Sequence, residues 1–312
     1  MRVKSKRDLL WLVDYSPEEI WDLIITTDKI KHGKIDTSNT LRGKILAMLF
    51  QKPSTRTRVS FEVAILQMGG HALYLEWRQL QLSRGESLKD TAKVLSRYVD
   101  GIVARVYNHR DLEELAAYAT VPVINGLSDL CHPVQILSDL YTIYEVFGRL
   151  YGIKIAYVGD GGNNVAHSLL IGASKMGIDI SIACPNKYKP NKQVLEYAYE
   201  FAKVSGAEIQ ITEDPNLAVK NADIIYTDTF VSMGMEAERE ERLKIFLPKY
   251  QVTMSLIKSS GKKTYFMHCL PAHRGEEVTD EVIDSGLSIV YDQAENRLHM
   301  QKAILLKLLA ES

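Results

Sequence analysis

Three hydroxyl side chains alternate with two guanidinium groups at positions 54–58, Ser54-Thr55-Arg56-Thr57-Arg58. This stretch follows an apolar run at 45–50 and precedes a helix-like run that begins near Val59 and stops at Gly69-Gly70. The amino terminus of a helix carries unpaired N–H donors and about half a positive charge, so it favours a phosphate group. An ordinary helix cap needs only one hydroxyl. The pattern therefore indicates a phosphate-binding turn, with simple capping as the alternative.

A further cationic group lies near the end of another apolar run. Arg105 belongs to the run 101–106, where an arginine is an unusual choice for a buried strand. A guanidinium beside the turn at 54–58 would complete a charge-assisted cradle for a dianion. The alternative is an arginine on an edge strand that reaches solvent.

The motif His132-Pro133-Val134-Gln135 follows the next strand-like run and its loop. Pro133 suits the first residue of a helix, so His132 and Gln135 would lie in that helix's first turn and face the same strand ends. A histidine at such a position is also a common helix cap. The motif by itself leaves both interpretations open.

The second half of the chain carries two polar clusters that follow strand-like runs. The glycine-rich turn 159–162 resembles a dinucleotide-binding turn, but the run at 180–185 lacks the acidic residue that would bind a ribose. Asn164 can still offer a donor and an acceptor to a different ligand. Asp228 supplies a carboxylate suited to an ammonium group, or else forms an Asx turn that closes the strand.

Two more clusters follow toward the carboxyl terminus. Cys269, in His268-Cys269-Leu270-Pro271, could be a nucleophile or a metal ligand, although no second cysteine stands at ligand spacing. Arg297 adds a guanidinium at the start of the last helical stretch, 296–309. All of these clusters lie at predicted strand ends or helix starts, where open parallel sheets bind their ligands.

Strand-like runs alternate with helical ones along most of the chain, a pattern typical of α/β proteins with parallel sheets flanked by helices. At 312 residues, two domains are expected. We predict them at 1–148 and 149–294, with a helix at 295–312 that packs back on the first domain. The predicted strands are 45–50, 72–76, 101–106, 121–125, 153–158, 179–184, 208–211, 223–227, 263–268 and 288–291.

Composition narrows the class of protein. Apolar residues make up 46% of the chain and charged residues 25%, as in soluble globular proteins. The 38 lysines and arginines nearly balance the 39 acidic residues, so no net field would draw the protein to nucleic acid or an anionic membrane. No apolar run is long enough to span a bilayer, and the basic amino terminus lacks a signal-peptide core. Three cysteines in such a chain predict free thiols and a cytoplasmic location.

Taken together, the motifs at 54–58, 132–135, 228–234 and 268–271 resemble those of the ornithine carbamoyltransferases, within the aspartate/ornithine carbamoyltransferase superfamily. The resemblance runs in order over nearly the whole chain and includes the segment 292–297. The first motif is shared by all carbamoyltransferases that use carbamoyl phosphate, whereas Ser232-Met233-Gly234 and the Cys269 motif single out ornithine as the acceptor. Val134 departs from the family, which usually has threonine or another small polar residue at that position.

The resemblance implies transfer of the carbamoyl group of carbamoyl phosphate to the δ-amine of ornithine, in an active site that lies in the cleft between two α/β domains. It implies no metal and no organic cofactor. It also implies a homotrimer or a multiple of trimers, because Gln81 matches a residue that a neighbouring subunit donates. The residues implied for carbamoyl phosphate are Ser54, Thr55, Arg56, Thr57, Gln81, Arg105, His132, Gln135, Cys269, Leu270 and Arg297. Those implied for ornithine are Asn164, Asp228, Ser232 and Met233, and those implied for catalysis are Arg56, Arg105, His132 and Cys269.

Several rival functions remain open at this point. Putrescine, N-acetylornithine or aspartate could be the acceptor in place of ornithine. A different class, an NAD-dependent oxidoreductase built around the turn 159–162, would leave the turn at 54–58 without a role. A non-enzymatic binding protein with the same fold is a third possibility. The motifs also leave the direction of metabolism open, because biosynthetic and catabolic ornithine enzymes share them.

Overall fold

The computed structural model of this protein describes residues 6–232 and 234–310, and the chain divides into two compact units. The first unit runs to Tyr141 and takes up the chain again from Glu295, and the second comprises Thr142–Ala294. Both divisions fall inside helices, since one helix spans Pro133–Phe147 and another spans Val290–Leu305. The boundary predicted after residue 148 lies just past the end of the first of these helices, and the domain bounds 1–148 and 149–294 stay a prediction.

The first unit is built on a parallel sheet of four strands in the order β2-β1-β3-β4. Most residues of β1 and all of β3 are buried, as expected when helices cover both faces of a parallel sheet. Its elements are α1 (Pro17–Lys31), β1 (Ile45–Phe50), α2 (Thr55–Gln67), β2 (His71–Glu76), α3 (Leu88–Leu95), β3 (Gly101–Arg105), α4 (His109–Tyr118), β4 (Val123–Leu127) and the start of α5 (Pro133–Phe147).

The second unit contains a parallel sheet of five strands in the order β7-β6-β5-β8-β9. Its elements are β5 (Lys154–Val158), α6 (Asn164–Lys175), β6 (Asp179–Ala183), α7 (Lys192–Ser205), β7 (Ile209–Thr212), α8 (Pro215–Val219), β8 (Ile224–Thr227), α9 (Arg239–Phe246), α10 (Met254–Lys258), β9 (Tyr265–His268), α11 (Asp280–Ile283) and the start of α12 (Val290–Leu305). The prediction of two α/β domains, each a parallel sheet flanked by helices, is confirmed.

Each sheet has a point at which the order of the strands reverses. In the first unit the chain leaves β1 toward β2 on one side and returns as β3 on the other side of β1. In the second unit β5 is flanked in the same way by β6 and β8. Crossovers that leave in opposite directions open a crevice at the carboxyl ends of these strands, where α/β proteins bind ligands. The turns at 54–57 and 159–164 follow β1 and β5, the two strands at which the order reverses, and therefore lie at these crevices.

The strand predicted at 288–291 is wrong. Ser288 forms only an isolated bridge with Phe266, and α12 begins two positions later at Val290. The apolar run Ile289-Val290-Tyr291 is compatible with either a strand or a buried helix, because a run this short carries no period that distinguishes them.

No helix within residues 6–232 and 234–310 is both long enough and apolar enough to cross a bilayer.

Candidate functional site

The turn after β1 forms the amino-terminal end of α2. Ser54 has an extended backbone and is the N-cap, and its hydroxyl accepts a hydrogen bond from the Thr57 N–H at 3.3 Å. The capping interpretation is therefore correct for Ser54, but it accounts for one hydroxyl only. Thr55 and Arg56 occupy the first turn of the helix, where backbone N–H groups point away from the helix and favour an anion.

A buried arginine joins two other predicted residues of the first unit. Arg297, on α12, donates to the Gln135 side-chain oxygen at 2.8 Å and to the Thr57 hydroxyl at 2.9 Å. Gln135 in turn donates to Asp139 at 2.8 Å, one turn further along α5. The planar guanidinium can bridge two acceptors at fixed geometry, which a lysine could not do. These contacts bring the starts of α2 and α5 together at the strand ends of the first sheet.

Arg105 is the last residue of β3, which lies between β1 and β4 in the sheet. The residue is buried, and its register partner on β1 is Phe50. The interpretation of Arg105 as an edge-strand arginine that reaches solvent is therefore wrong, because β3 is a central strand. Its carbonyl accepts a hydrogen bond from the Gln51 N–H at 2.8 Å, so Arg105 lies beside the segment that leads from β1 to α2.

His132 precedes Pro133, the first residue of α5, and is buried. Burial lowers the pKa of His132 well below its usual value, and the positive charges of Arg297 and Arg105 lower it further. The imidazole is therefore neutral at physiological pH and can donate a single ring N–H to an oxygen atom. The side chains of Arg105, His132 and Arg297, two of them positively charged and one a neutral N–H donor, are thus clustered around one end of the first sheet.

Gln81 lies elsewhere in the first unit, in the short 3-10 helix Gln81–Arg84. Its side chain is exposed. The assignment of Gln81 to the carbamoyl phosphate site stays a prediction.

In the second unit, Asp228 follows β8 and is buried. One of its carboxylate oxygens accepts a hydrogen bond from the Asn163 amide at 3.2 Å, and the other accepts one from the Cys269 thiol at 3.2 Å. Burial raises the pKa of Asp228, while the Thr229 N–H and the Cys269 thiol act in the opposite direction. The carboxylate and the thiol therefore form a pair at the adjacent ends of β8 and β9.

His268 holds the loop that carries Cys269. Its Nδ1 accepts a hydrogen bond from the Leu270 N–H at 2.8 Å, so the ring proton lies on Nε2, which faces Glu277 at 3.1 Å. Leu270 has a φ of 58°, a left-handed conformation that is costly for leucine and needs such support. Sequence reasoning did not single out Glu277, because its partner is nine positions away and the contact depends on the loop.

Gln293, on α12, forms hydrogen bonds with residues at the ends of β8 and β9. Its side-chain oxygen accepts the His268 N–H at 2.9 Å, and its amide donates to the Tyr226 hydroxyl at 3.1 Å. The motif at 292–297 therefore has two separate roles, since Gln293 supports the end of β9 whereas Arg297 binds Thr57 and Gln135 in the first unit.

The remaining predicted ornithine residues are distributed over two segments. Asn164 is the first residue of α6, directly after the N-cap Asn163. Ser232 is partly buried, and its carbonyl accepts a hydrogen bond from the Met235 N–H at 2.9 Å. Met233 lies outside the described residues.

At the glycine-rich turn 159–162 and the start of α6, two backbone N–H groups form hydrogen bonds with side chains of the protein itself. Asp160 accepts the Gly162 N–H at 2.9 Å, and Asn163 accepts the Ala166 N–H at 2.7 Å. A Cβ atom on Gly161 would lie 2.9 Å from the Tyr188 carbonyl, so the loop that follows β6 packs directly on the turn. A dinucleotide would require these N–H groups for its pyrophosphate. The turn is therefore poorly suited to NAD.

Potential metal ligands occur in two groups among the described residues. The ligand atoms of Asp228, His268 and Cys269 lie within 4.8 Å of one another, as do those of His273, Glu276 and Glu277. In the first group the ring nitrogens of His268 face Leu270 and Glu277, and the thiol donates to Asp228. Protein groups thus already engage these atoms, and the expectation that no metal takes part stays a prediction.

Arg242 is a buried residue of the second unit that sequence reasoning missed. Its guanidinium forms an ion pair with Asp160 and donates through Nε to the Phe230 carbonyl at 2.5 Å. It also stacks on the Tyr188 ring, with 4.7 Å between the guanidinium carbon and the ring centroid. Arg242 therefore links the turn after β5 to the segment after β8, which carry Asn164 and Asp228.

Replacing Arg242 by methionine is expected to lower the free energy of unfolding by about 3–5 kcal/mol, because Asp160 would keep a buried charge without a partner. Chemical denaturation measures this loss. Arg239→Met on the same helix is the control, since Arg239 is half-exposed and its ion pair with Glu276 should contribute no more than about 1 kcal/mol. The double variant Arg242→Met with Asp160→Asn should recover part of the loss, and equal losses at 242 and 239 would contradict this prediction.

The fold and these two polar clusters define a two-domain α/β protein. Its first unit carries buried arginines and a neutral histidine at the strand ends, and its second carries a carboxylate and a thiol. Residues 7–145 match the carbamoyl-P binding domain described for aspartate/ornithine carbamoyltransferases, and residues 151–308 match the Asp/Orn binding domain of the same family. The chain belongs to the aspartate/ornithine carbamoyltransferase family.

Several proteins similar to this chain are named ornithine carbamoyltransferase. The ornithine carbamoyltransferase of Pyrococcus abyssi is 59% identical over 305 residues, which cover 97% of this chain and 96% of that protein. The anabolic ornithine carbamoyltransferase of Pyrococcus furiosus is 59% identical over 301 residues, 96% of this chain and 95% of that one. The solved structure of an ornithine carbamoyltransferase from Pyrococcus furiosus matches with a TM-score of 0.93 at 58% identity, over 98% of this chain and 97% of the other.

Proposed function

We propose that this protein transfers the carbamoyl group of carbamoyl phosphate to the δ-amine of L-ornithine, producing L-citrulline and phosphate. The observation that carries the proposal is the buried Arg297 bridge between Thr57 and Gln135, next to Arg105 and His132 at the end of the first sheet. The family to which the chain belongs and the names of its relatives support the same reaction. The anabolic name of one relative supports a place in arginine biosynthesis.

We assign carbamoyl phosphate to the domain of residues 1–148, together with the helix from Glu295 onward. Its phosphate would bind at the amino terminus of α2, to Ser54, Thr55, Arg56 and Thr57. The amino-terminal end of α2 and the Arg56 guanidinium supply positive charge suited to a phosphate. Gln135 and Arg297 would hold Thr57 in place and bind the carbamoyl end of the substrate.

The reaction requires negative charge to be stabilised at the carbamoyl oxygen. As the amine attacks, a C–N bond forms, the C–O bond to phosphate breaks, and charge passes through the carbonyl oxygen to the leaving phosphate. Thr57, Arg105 and neutral His132 are the donors proposed for that oxygen. The δ-ammonium group has an unperturbed pKa of about 10.4 and must first lose one proton to solvent to become nucleophilic. The nitrogen loses a second proton as the C–N bond forms, and the departing phosphate is a base that can accept this one.

We assign ornithine to the domain of residues 149–294. Asp228 would bind its α-ammonium group, and Asn164 would bind its α-carboxylate. Ser232 and Met233 are proposed from the family motif to complete this subsite. Cys269 and Leu270, at the end of β9, are proposed to face the reacting amine and carbamoyl groups. The thiol that donates to Asp228 supports this placement of Cys269.

A citrulline assay with carbamoyl phosphate and a panel of amines tests the proposal. We expect ornithine to be the preferred acceptor over putrescine, N-acetylornithine and aspartate. An NAD titration run in parallel should show no binding, because the groups of the turn at 159–162 are occupied by the protein itself. Preference for another amine, or NAD binding without citrulline formation, would overturn the assignment.

We also propose that the protein is a homotrimer or a multiple of trimers, with Gln81 completing the carbamoyl phosphate site of a neighbouring subunit. Two features of the first unit support contact between copies. Val59 and Leu66 are about half-exposed on one face of α2, and Leu73 is half-exposed on the adjacent strand β2. Because β2 is an edge of its sheet, this apolar surface is available to another chain.

A cytoplasmic location is supported by three cysteines that are all free thiols.

Subunit mixing tests the shared site. Arg56→Ala and Gln81→Ala chains are each expected to be inactive alone, but mixed trimers should regain activity, because some interfaces then receive one intact contribution from each parent. Activity is measured as citrulline formation after subunit exchange has been verified by mass. Arg84→Ala, at the other end of the same 3-10 turn, is the control for damage to the turn. No recovery after confirmed exchange would argue against a shared site.

A further inference from the structure

Asn163 occupies a position at which one side chain contacts both proposed ornithine-binding segments. It is the N-cap of α6, and its side-chain oxygen accepts the Ala166 N–H at 2.7 Å. Its amide nitrogen donates to the Tyr157 hydroxyl at 2.8 Å and to the Asp228 carboxylate at 3.2 Å. With 8% of its surface exposed, Asn163 satisfies its oxygen and both amide hydrogens inside the protein.

The orientation of this amide follows from its partners. A backbone N–H can only donate, so the atom that faces Ala166 must be the oxygen and the nitrogen must face Asp228. Tyr157 is fully buried, and burial raises the pKa of its hydroxyl well above the usual value. The hydroxyl is therefore protonated and accepts the amide hydrogen through a lone pair.

A helix cap alone would not require asparagine. Aspartate, serine and threonine also cap helices by accepting a backbone N–H. What asparagine adds is a pair of N–H donors on the same rigid group, and here both are used on the side that faces Asp228 and Tyr157. The residue type is explained only if those donors matter.

We propose that Asn163 is a positioning residue for ornithine, which fixes the Asp228 carboxylate with its amide while its oxygen starts the helix that carries Asn164. The inference rests on the proposed function. Asp228 is held from both sides, by Asn163 on one oxygen and by the Cys269 thiol on the other. A buried carboxylate that lacks such donors favours its neutral form and binds an ammonium group poorly. The amide of Asn163 thus holds the acceptor oxygen in its orientation.

Two variants separate positioning from capping. Asn163→Ser and Asn163→Asp both keep an oxygen that can cap α6, but both remove the amide donors. We expect kcat/KM for ornithine to fall about 10- to 100-fold in each variant, the range expected for loss of a hydrogen bond to a charged group. The change should lie mainly in the KM for ornithine. The dissociation constant of carbamoyl phosphate, measured by calorimetry, should stay close to that of the wild type in both variants. The thermal unfolding midpoint should stay close to that of the wild type in Asn163→Ser and fall in Asn163→Asp, which places a second buried carboxylate beside Asp228.

Asn191→Asp is the matched control, because Asn191 is an exposed N-cap in the same unit and accepts the Gln193 N–H at 2.8 Å. It should leave every parameter unchanged. Wild-type ornithine kinetics in Asn163→Ser would overturn the inference, even if Asn163→Asp were impaired, since that would report only the added charge. Equal losses of stability and of affinity for both substrates would show a purely structural cap. A wild-type protein that does not use ornithine would instead refute the proposed function itself.

Discussion

Replacing Arg105 by alanine is expected to lower the rate of citrulline formation by about 10²- to 10³-fold while the protein stays folded. The size follows from the loss of one donor to an oxygen on which charge builds in the transition state. Arg105 lies at the end of a central strand and is buried near His132, whose pKa its charge helps to lower. Removing one of several clustered positive charges should not destabilise that end of the sheet.

Steady-state kinetics with both substrates measure this loss, and circular dichroism verifies the fold. Arg56→Ala should show a loss of the same order, because Arg56 is proposed to bind the phosphate that leaves. Arg110→Ala is the control, since Arg110 is exposed in the first turn of α4. Wild-type rates from Arg105→Ala or Arg56→Ala would refute the carbamoyl phosphate assignment.

The second large effect concerns the choice of acceptor. Putrescine lacks the α-carboxylate and α-amine of ornithine, so it would leave Asp228 and Asn164 without the substrate groups that they are proposed to bind. A site built to hydrogen-bond such a group can reject an analogue without it by a factor on the order of 10⁴. We therefore expect the wild type to prefer ornithine over putrescine by a factor of this order in kcat/KM.

Asp228→Ala should abolish most of this preference by raising the KM for ornithine, with little change in carbamoyl phosphate binding measured by calorimetry. Loss of the carboxylate also leaves the Asn163 amide and the Cys269 thiol without their shared acceptor. Glu196→Ala, an exposed carboxylate on α7, is the control for a general change in charge. If Asp228→Ala weakened carbamoyl phosphate as much as ornithine, the separate assignment of the two substrates to the two domains would be wrong.

The order of residues along the chain was sufficient to predict the fold class and the segments that could carry chemistry. The alternation of short apolar runs with helical patterns reflects local periodicity, which each segment carries within itself. Motifs such as the turn at 54–58 and the segment 268–271 are likewise contiguous, so their residue types and spacing are visible without any structure. The family resemblance that they support agrees with the family matches over 7–145 and 151–308.

The tertiary structure decided what depends on the spatial order of strands and on distant partners. Arg105 is buried because β3 pairs with both β1 and β4, and strand order in space does not follow strand order in sequence. The run at 288–291 becomes the start of α12 because a short apolar run fits helix and strand equally well. Arg242 and Asn163 lie 82 and 65 positions from the carboxylates that they bind, so no local pattern could single them out. Their roles arise only when the turns that follow β5 and β8 meet at the switch point of the second sheet.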